Sequence, residues 1–222
     1  MPMPALTARK GDLLRDGIFI VAIIKADPDT AAEVGLVEPE QTQLEATIDA
    51  RRKADKVAIE SGAVVDHRLG ALRREIVAFG VKVFGHFGSR TAAGYLRVYP
   101  EAPSKIANAN EETRTKKFDT LRKAAADQQT PKELAEAAKA LDKAFAAFDV
   151  ATTADGVATA GLETATGSED QGADNLHTAV RKLRGRLIML FPRDMARVNS
   201  YLPKAKAPPK PKKVPVVEPV PE

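Results

Sequence analysis

The chain lacks several residue types on which familiar kinds of functional site depend. Its 222 residues include no cysteine and no tryptophan, and aromatic residues make up only 5%. Without thiols, the protein has no disulfide, no thiolate metal ligand and no cysteine nucleophile. We expect a cytoplasmic location, because a chain without disulfides suits a reducing compartment. Few aromatic side chains also leave little surface on which the bases of single-stranded nucleic acid could stack.

Long hydrophobic runs are missing as well. The apolar run Ile18–Ile24 has seven residues, whereas a helix that spans a membrane needs about 20. The charged residues Asp12, Arg15 and Asp16 interrupt the N-terminal segment, so it does not have the order of a secretory signal. The sequence therefore predicts a buried segment at Ile18–Ile24 and no membrane partner.

Proline is absent between residues 40 and 99, and this stretch carries a helical pattern. Apolar or small residues recur there every three or four positions in a single phase. This spacing predicts one helix over residues 39–87, with a helical hairpin that turns at Gly62 as the alternative. Gly88 can end this helix, because glycine readily adopts the left-handed conformation.

A second stretch without proline extends from residue 132 to residue 191. Its apolar stripe begins at Leu134 and returns in the same phase at Leu162 and from Leu176 onward, but the other positions between are polar. Gly167 and Gly172 leave a turn in this stretch as an open alternative to a continuous helix. Both long segments thus have apolar ends and a poorly apolar middle, which predicts a waist that is loosely packed or that binds something else.

Shorter helices are predicted around the two long segments. One covers residues 8–26, a second follows Pro28 at its first helical position and ends near Leu36, and a third follows a cap at Ser104 and ends near Ala126. Before the second long segment, a capping box is predicted in which Thr130 caps, Pro131 takes the first helical position and Glu133 reaches back.

The two halves of the chain carry related sequences. Val65–Asp66 and Ala71–Arg74 have counterparts in Ala173–Asp174 and Ala179–Lys182, 108 positions later. Each half then closes with a tyrosine and a proline, which indicates a duplicated helical unit. We therefore predict an all-α, elongated antiparallel helical bundle with long helices and two related helical units. The predicted organisation is a flexible leader (1–8), a first unit (9–103), a second unit (104–203) and a disordered Pro/Lys-rich tail (204–222).

The tail holds most of the excess positive charge. The whole chain has a net charge of +4, and five lysines against two glutamates give the tail +3 of it. Proline-rich segments of this composition are extended, and grooves lined by aromatic residues recognise a Pro-x-x-Pro spacing. The candidate partner-binding residues in the tail are Pro208, Pro209 and Pro211, although a plain spacer explains them equally well.

Basic clusters on the predicted helices could contact nucleic acid or another polyanion. Neighbouring residues of a helix point about 100° apart, and acidic residues lie close by, so a solvated face of mixed charge is the preferred interpretation. The candidate polyanion contacts are Arg51, Arg52, Arg73, Arg74, Arg181, Lys182, Arg184, Arg186, Lys210, Lys212 and Lys213.

No motif of a catalytic, cofactor or metal site is present. The histidines His67, His86 and His177 have neither the Glu-x-x-His nor the His-x-x-x-His spacing of helical metal sites. Asp27 and Asp29 are explained by helix capping. The sequence therefore predicts a non-enzymatic structural or protein-interaction bundle without a cofactor, which forms a homo-oligomer or binds a protein partner. Polyanion binding through the basic clusters and the tail is the alternative.

Overall fold

The regular structure of the protein is helical. The computed structural model describes residues 10–127 and 131–203, and every regular element within these two ranges is a helix. This outcome follows from the apolar stripes, which recur with a period of three or four residues rather than two. The all-α prediction is confirmed, as is the prediction of long helices that pack against each other.

Seven α-helices and two short 3-10 helices follow one another within the described residues. The 3-10 helices, Ala31–Leu36 and Lys132–Leu134, each precede one of the two long α-helices. The α-helices are α1 (Lys10–Ala26), α2 (Glu38–Phe87), α3 (Ala93–Val98), α4 (Pro103–Ala107), α5 (Glu111–Ala126), α6 (Ala135–Leu190) and α7 (Met195–Ser200).

The two long helices are continuous. Helix α2 contains 50 residues and helix α6 contains 56, so the alternative turn at Gly62 and the open turn near Gly172 are both wrong. A Cβ on Gly172 would lie 3.1 Å from Thr47 Oγ1 and 3.5 Å from Leu44 Cα, so this glycine permits a close approach of α2 and α6. Helix α2 ends as predicted, with Gly88 at a φ of +70°.

The helix predicted between Ser104 and Ala126 is in fact two helices. Asn110 separates α4 from α5, and its Oδ1 accepts a hydrogen bond of 3.2 Å from the backbone N–H of Thr113. Such a cap satisfies one of the free N–H groups at the start of α5 and fixes where that helix begins. The sequence prediction overlooked Asn110 as a helix cap.

Two predicted helix starts also differ from the structure. Pro131 precedes a 3-10 helix instead of filling the first position of a helix, and Thr130 lies outside the described residues. The residues from Asp27 to Thr30 form a turn in which the backbone N–H of Asp29 donates to Asp27 Oδ1 at 3.0 Å. Pro28 therefore lies in a turn and not in the first turn of a helix.

The described residues divide into two compact units, and the first combines residues 10–49 with residues 167–203. Here α1 packs against the start of α2 and the end of α6, and α7 follows. A Cβ on Gly17 of α1 would lie 3.0 Å from Leu176 and 3.4 Å from Gln41, and one on Gly172 would lie 3.5 Å from Leu44, so α2 and α6 run antiparallel in this unit. Its buried core includes Ile20, Ile24, Val37, Leu44, Leu176, Leu183, Leu187 and Val198.

The second unit combines residues 50–127 with residues 131–166. Here α5 packs against the start of α6 and the end of α2, and α3 and α4 complete the unit. The buried hydroxyl of Tyr99, which follows α3, donates a hydrogen bond of 2.6 Å to the carbonyl of Ile76. Its core includes Leu72, Ile76, Phe79, Val83, Tyr99, Ile106, Phe118, Leu121, Leu141 and Phe145.

The order of the elements repeats along the chain. A helix, a 3-10 helix, a long helix and a six-residue helix occur in this order twice, first from α1 to α3 and then from α5 to α7. Buried positions of α2 match those of α6 at a separation of 104 positions, so the separation of 108 was too long by about one helical turn. The matched pairs are Leu72 with Leu176, Ile76 with Val180, Phe79 with Leu183 and Val83 with Leu187.

The compact units do not follow the two halves of the sequence. Residues 9–103 and 104–203 were predicted as the units, but each compact unit draws helices from both halves because the long helices continue from one unit into the other. A sequence repeat shows which segments are related, and it leaves open which of them share a core.

We expect opposite effects from two glycine-to-alanine substitutions in α2. A Cβ on Gly80 would clash with the ring of Pro103, whereas a Cβ on Gly85 meets nothing within 4 Å. Gly80→Ala should lower the free energy of unfolding by about 1–3 kcal/mol through overpacking. Gly85→Ala should raise it by up to about 1 kcal/mol, because alanine favours helix. Urea denaturation measures both, and equal effects of the two substitutions would contradict the packing of α4 on α2.

Candidate protein-interaction surface

The middle of the two long helices has almost no buried side chains. We call residues 50–68 of α2 and 150–166 of α6 the waist, and all of them belong to the second unit. No residue of the α2 part is buried, and Ala151 is the one buried residue of the α6 part. The predicted poorly apolar middle is therefore observed as a stretch of about five helical turns without a core.

Most of the side chains that α2 and α6 turn toward each other in the waist are small or polar. Ser61 Oγ donates a hydrogen bond of 2.7 Å to Asp155 Oδ1, and Gly62 also faces this carboxylate. The half-buried positions are Arg51, Ala54, Ala58, Ser61, Gly62 and Val65 of α2, and Asp155, Ala158, Leu162, Ala165 and Thr166 of α6.

Larger apolar side chains of the waist point into solvent. Five valine and isoleucine residues are about half or more exposed, although residues of this type are the most often buried in folded proteins. Their exposed fractions are 53% for Val57, 67% for Ile59, 49% for Val64, 70% for Val150 and 71% for Val157. Exposed apolar side chains that cluster in this way are typical of surfaces that bind a partner.

The predicted polyanion contacts do not form one basic surface within either unit. In the second unit Arg52 and Arg74 are exposed, but Arg73 is half-buried and its Nε donates to the carbonyl of Ala107 at 3.1 Å. Arg51 is half-buried, and it forms interactions of its own, as does Arg52. Arg73 therefore holds α4 against α2.

In the first unit the basic residues spread around α6. Arg181, Lys182 and Arg186 are exposed, whereas Arg184 is half-buried and its Nε is fully shielded from solvent. Lys182 and Arg186, four positions apart, lie on one face of the helix, whereas Arg181 points about 100° away from Lys182, so the set does not share a single face. The remaining predicted contacts, Lys210, Lys212 and Lys213 with Pro208, Pro209 and Pro211, lie outside the described residues.

A groove between α5 and α6 in the second unit is bridged by Arg122. Arg122 Nε donates to Asp142 at 3.1 Å, its Nη1 donates to Asp149 at 2.8 Å, and its guanidinium lies 5.7 Å from the centre of the Phe145 ring. The hydrogen bond with Asp149, followed by that with Asp142, raises the pKa of Arg122. Two cavities of about 390 and 490 Å³ adjoin this bridge. The arrangement holds α5 on α6.

In the first unit a charged network joins the turn after α1 to α7. Arg197 Nη2 donates to Asp27 at 2.8 Å and to Asp29 at 2.7 Å, and its guanidinium lies 4.0 Å from the centre of the Phe191 ring. The hydroxyl of Tyr201 donates to Asp27 as well. Asp27 and Asp29 thus do more than the predicted capping. No sequence signal links residues about 170 positions apart, so sequence reasoning missed this network.

The network shifts the pKa values of its members. The hydrogen bond from Arg197, followed by that from Tyr201, lowers the pKa of Asp27 to about 2. The same hydrogen bond with Asp27 is the main cause that raises the pKa of Arg197. For Tyr201, burial first and the nearby Asp27 second raise the pKa of the phenol. A carboxyl pKa that is lowered and a guanidinium pKa that is raised are typical of a structural ion pair, so Asp27 and Arg197 both stay charged near neutral pH.

We expect Asp27→Asn to lower the melting temperature at pH 7 and to have little effect at pH 2. Because folding lowers the pKa of Asp27 from 3.8 to about 2, its stabilisation is complete above about pH 4 and is lost as the pH falls through 2. The Asp29→Asn variant is the matched control and should change the melting temperature less, since the Asp29 side chain is 64% exposed. Thermal melts by circular dichroism at several pH values measure the difference, and a pH-independent difference would contradict this role of Asp27.

The described residues contain no group of three or more histidine, aspartate or glutamate side chains that could hold a metal ion. His67 and His86 are exposed, and His177 is buried in α6 of the first unit. Among the same residues, no helix is both long enough and apolar enough to cross a membrane. Comparisons with protein-family models, with curated proteins and with solved structures found no match.

Proposed function

We propose that this chain is a non-enzymatic interaction protein that associates with further copies of itself through its long helices. The observation that carries the proposal is the waist, where two adjacent helices bury almost nothing while valine and isoleucine side chains face solvent. Apolar surface of this kind gains free energy when a partner covers it. The cytoplasmic location expected from the cysteine-free composition is part of the same proposal.

Two features of the waist favour a partner that covers its exposed apolar side chains. Most of the stability of helices in proteins comes from tertiary packing of an apolar face, so an uncovered helical stretch gains from a neighbour that packs on it. In addition, both units bury their own apolar cores outside the waist, so the exposed valines are not needed to complete either core.

Polyanion binding is the second candidate, and it has less support. Arg73 makes a structural hydrogen bond and Arg184 is half-buried, which leaves a smaller set of exposed basic residues on the helices. If nucleic acid is the partner, affinity should fall steeply with salt, because binding releases counterions from the phosphates.

Size-exclusion chromatography with light scattering, at low and high salt, tests the proposal. We expect a mass of at least about twice the 23.8 kDa of one chain at both salt concentrations. Salt screens interactions between exposed charges, whereas an interface of apolar side chains does not depend on them. Absorbance at 260 nm provides the control, since a chain with no tryptophan and three tyrosines absorbs weakly. A monomer at every soluble concentration would contradict self-association. An excess at 260 nm that high salt removes, and that is lost on deletion of residues 204–222, would favour the polyanion alternative.

A further inference from the structure

We propose that two copies of this chain pack their waists face to face, with α2 of one copy against α6 of the other, and form a four-helix bundle. This inference rests on the proposed self-association and identifies the surface and the pairing. Four exposed valines define the surface, which we call the valine face: Val57, Val64, Val150 and Val157.

The four valines lie on one side of the waist. Each directly precedes a residue that is turned inward: Ala58, Val65, Ala151 and Ala158, respectively. Each valine is therefore rotated by about 100° from its inward neighbour, and in the same sense on both helices. Two adjacent antiparallel helices are related by an approximate two-fold axis perpendicular to both. This axis carries a side chain of one helix onto the side chain of the other that has the same rotation from its inward direction, and both lie on the same side of the pair. Ile59 follows Ala58, so it points to the opposite side of the waist.

The two helices present different chemistry on the valine face. On α2, Lys53, Glu60 and Arg68 lie close to the direction of Val57, and all three side chains are exposed. On α6, the positions close to the direction of Val157 are small and uncharged: Thr153, Ala160, Gly161 and Thr164. Moreover, α6 contains no lysine or arginine between Lys143 and Arg181.

Two stacked copies can place antiparallel helices against each other in two ways, either α2 on α2 or α2 on α6. The charges on the valine face favour one of these pairings. If α2 lay on α2 of the second copy, Lys53 would approach Arg68 of that copy, and the two Glu60 side chains would approach each other. Like charges at such positions disfavour a pairing. If α2 lies on α6 instead, the stems of Lys53 and Arg68 cover small side chains while their charged ends reach water. We therefore assign the α2–α6 pairing.

The pairing also fixes the register. Ser61 bonds to Asp155 in the same chain, so Val57 lies near the level of residue 159. A two-fold axis parallel to the helices preserves these levels, which places Val57 of one copy opposite Val157 of the other. The resulting contact measures about 27 Å by about 20 Å and buries roughly 1,100 Å² in total, just above the lower limit for a specific interface.

The first test compares two substitutions in the same turns of α2. Val57→Asp places a charge at the centre of the contact, and we expect the dissociation constant of the dimer to rise about tenfold or more. Ile59→Asp is the matched control, because it makes a similar change on the opposite side of the same helix, and it should leave the constant unchanged. Sedimentation equilibrium measures the constants, and far-UV circular dichroism checks that both variants keep their helix content.

The second test uses the cysteine-free chain to read the pairing directly. Val57→Cys and Val157→Cys are purified separately, mixed and oxidised, and intact mass identifies the products. We expect a heterodisulfide between the two variants and little product from either alone, since a disulfide requires Cα atoms within about 7 Å.

The outcomes separate the two proposals. A wild-type chain that stays monomeric would contradict self-association altogether. A wild-type dimer that resists Val57→Asp and gives no heterodisulfide would overturn the valine face and leave self-association intact. A disulfide between two Val57→Cys chains would overturn the α2–α6 pairing.

Discussion

A pair of helices cannot bury a core unless a third element covers it, and this constraint governs the structure. Two adjacent helices enclose only one narrow seam, so most of their surface stays in water. Where α1 covers the pair in the first unit, Ile20 and Ile24 meet Leu44 and Leu176 in a buried core. Where α5 covers the pair in the second unit, Phe118 and Leu121 have the same role. The waist has no such cover, and apart from Ala151 its side chains are half-buried or exposed.

The duplicated order of elements meets this constraint by exchange between the two halves. The short helix of each half covers the start of its own long helix, and both lie against the end of the other half's long helix. The closing tyrosines show that the copies have diverged. Tyr99 donates to a main-chain carbonyl inside an apolar core, whereas Tyr201 donates to Asp27 within a charged network. Related segments thus close the two units with different chemistry.

The long helices could be predicted because their evidence is local. The missing prolines and a single apolar phase across Gly62 suffice for α2, since a turn there would have reset the phase. Gly172 misled the prediction for a physical reason: a glycine that permits close helix packing resembles a glycine that permits a turn. The polar stripe residue Glu169 is buried, with its carboxylate 3.7 Å from Lys10 Nζ, and only tertiary structure supplies such a partner.

The candidate surface was predicted in part. The poorly apolar stripe of the waist is visible in the sequence because it occupies known phases of two long helices. The valine face is not, because its residues lie outside those stripes and only the observed inward positions show that α2 and α6 point their valines to the same side. The Ser61–Asp155 hydrogen bond and mostly small side chains lie between the two helices of the waist, so little apolar burial resists their separation. In the dimer that we propose, the small, uncharged side of α6 from a second copy covers α2 without bringing like charges together. Small residues thus occupy two sides of the waist: those turned inward leave it without a core, and those of α6 on the valine face allow a second copy to approach closely.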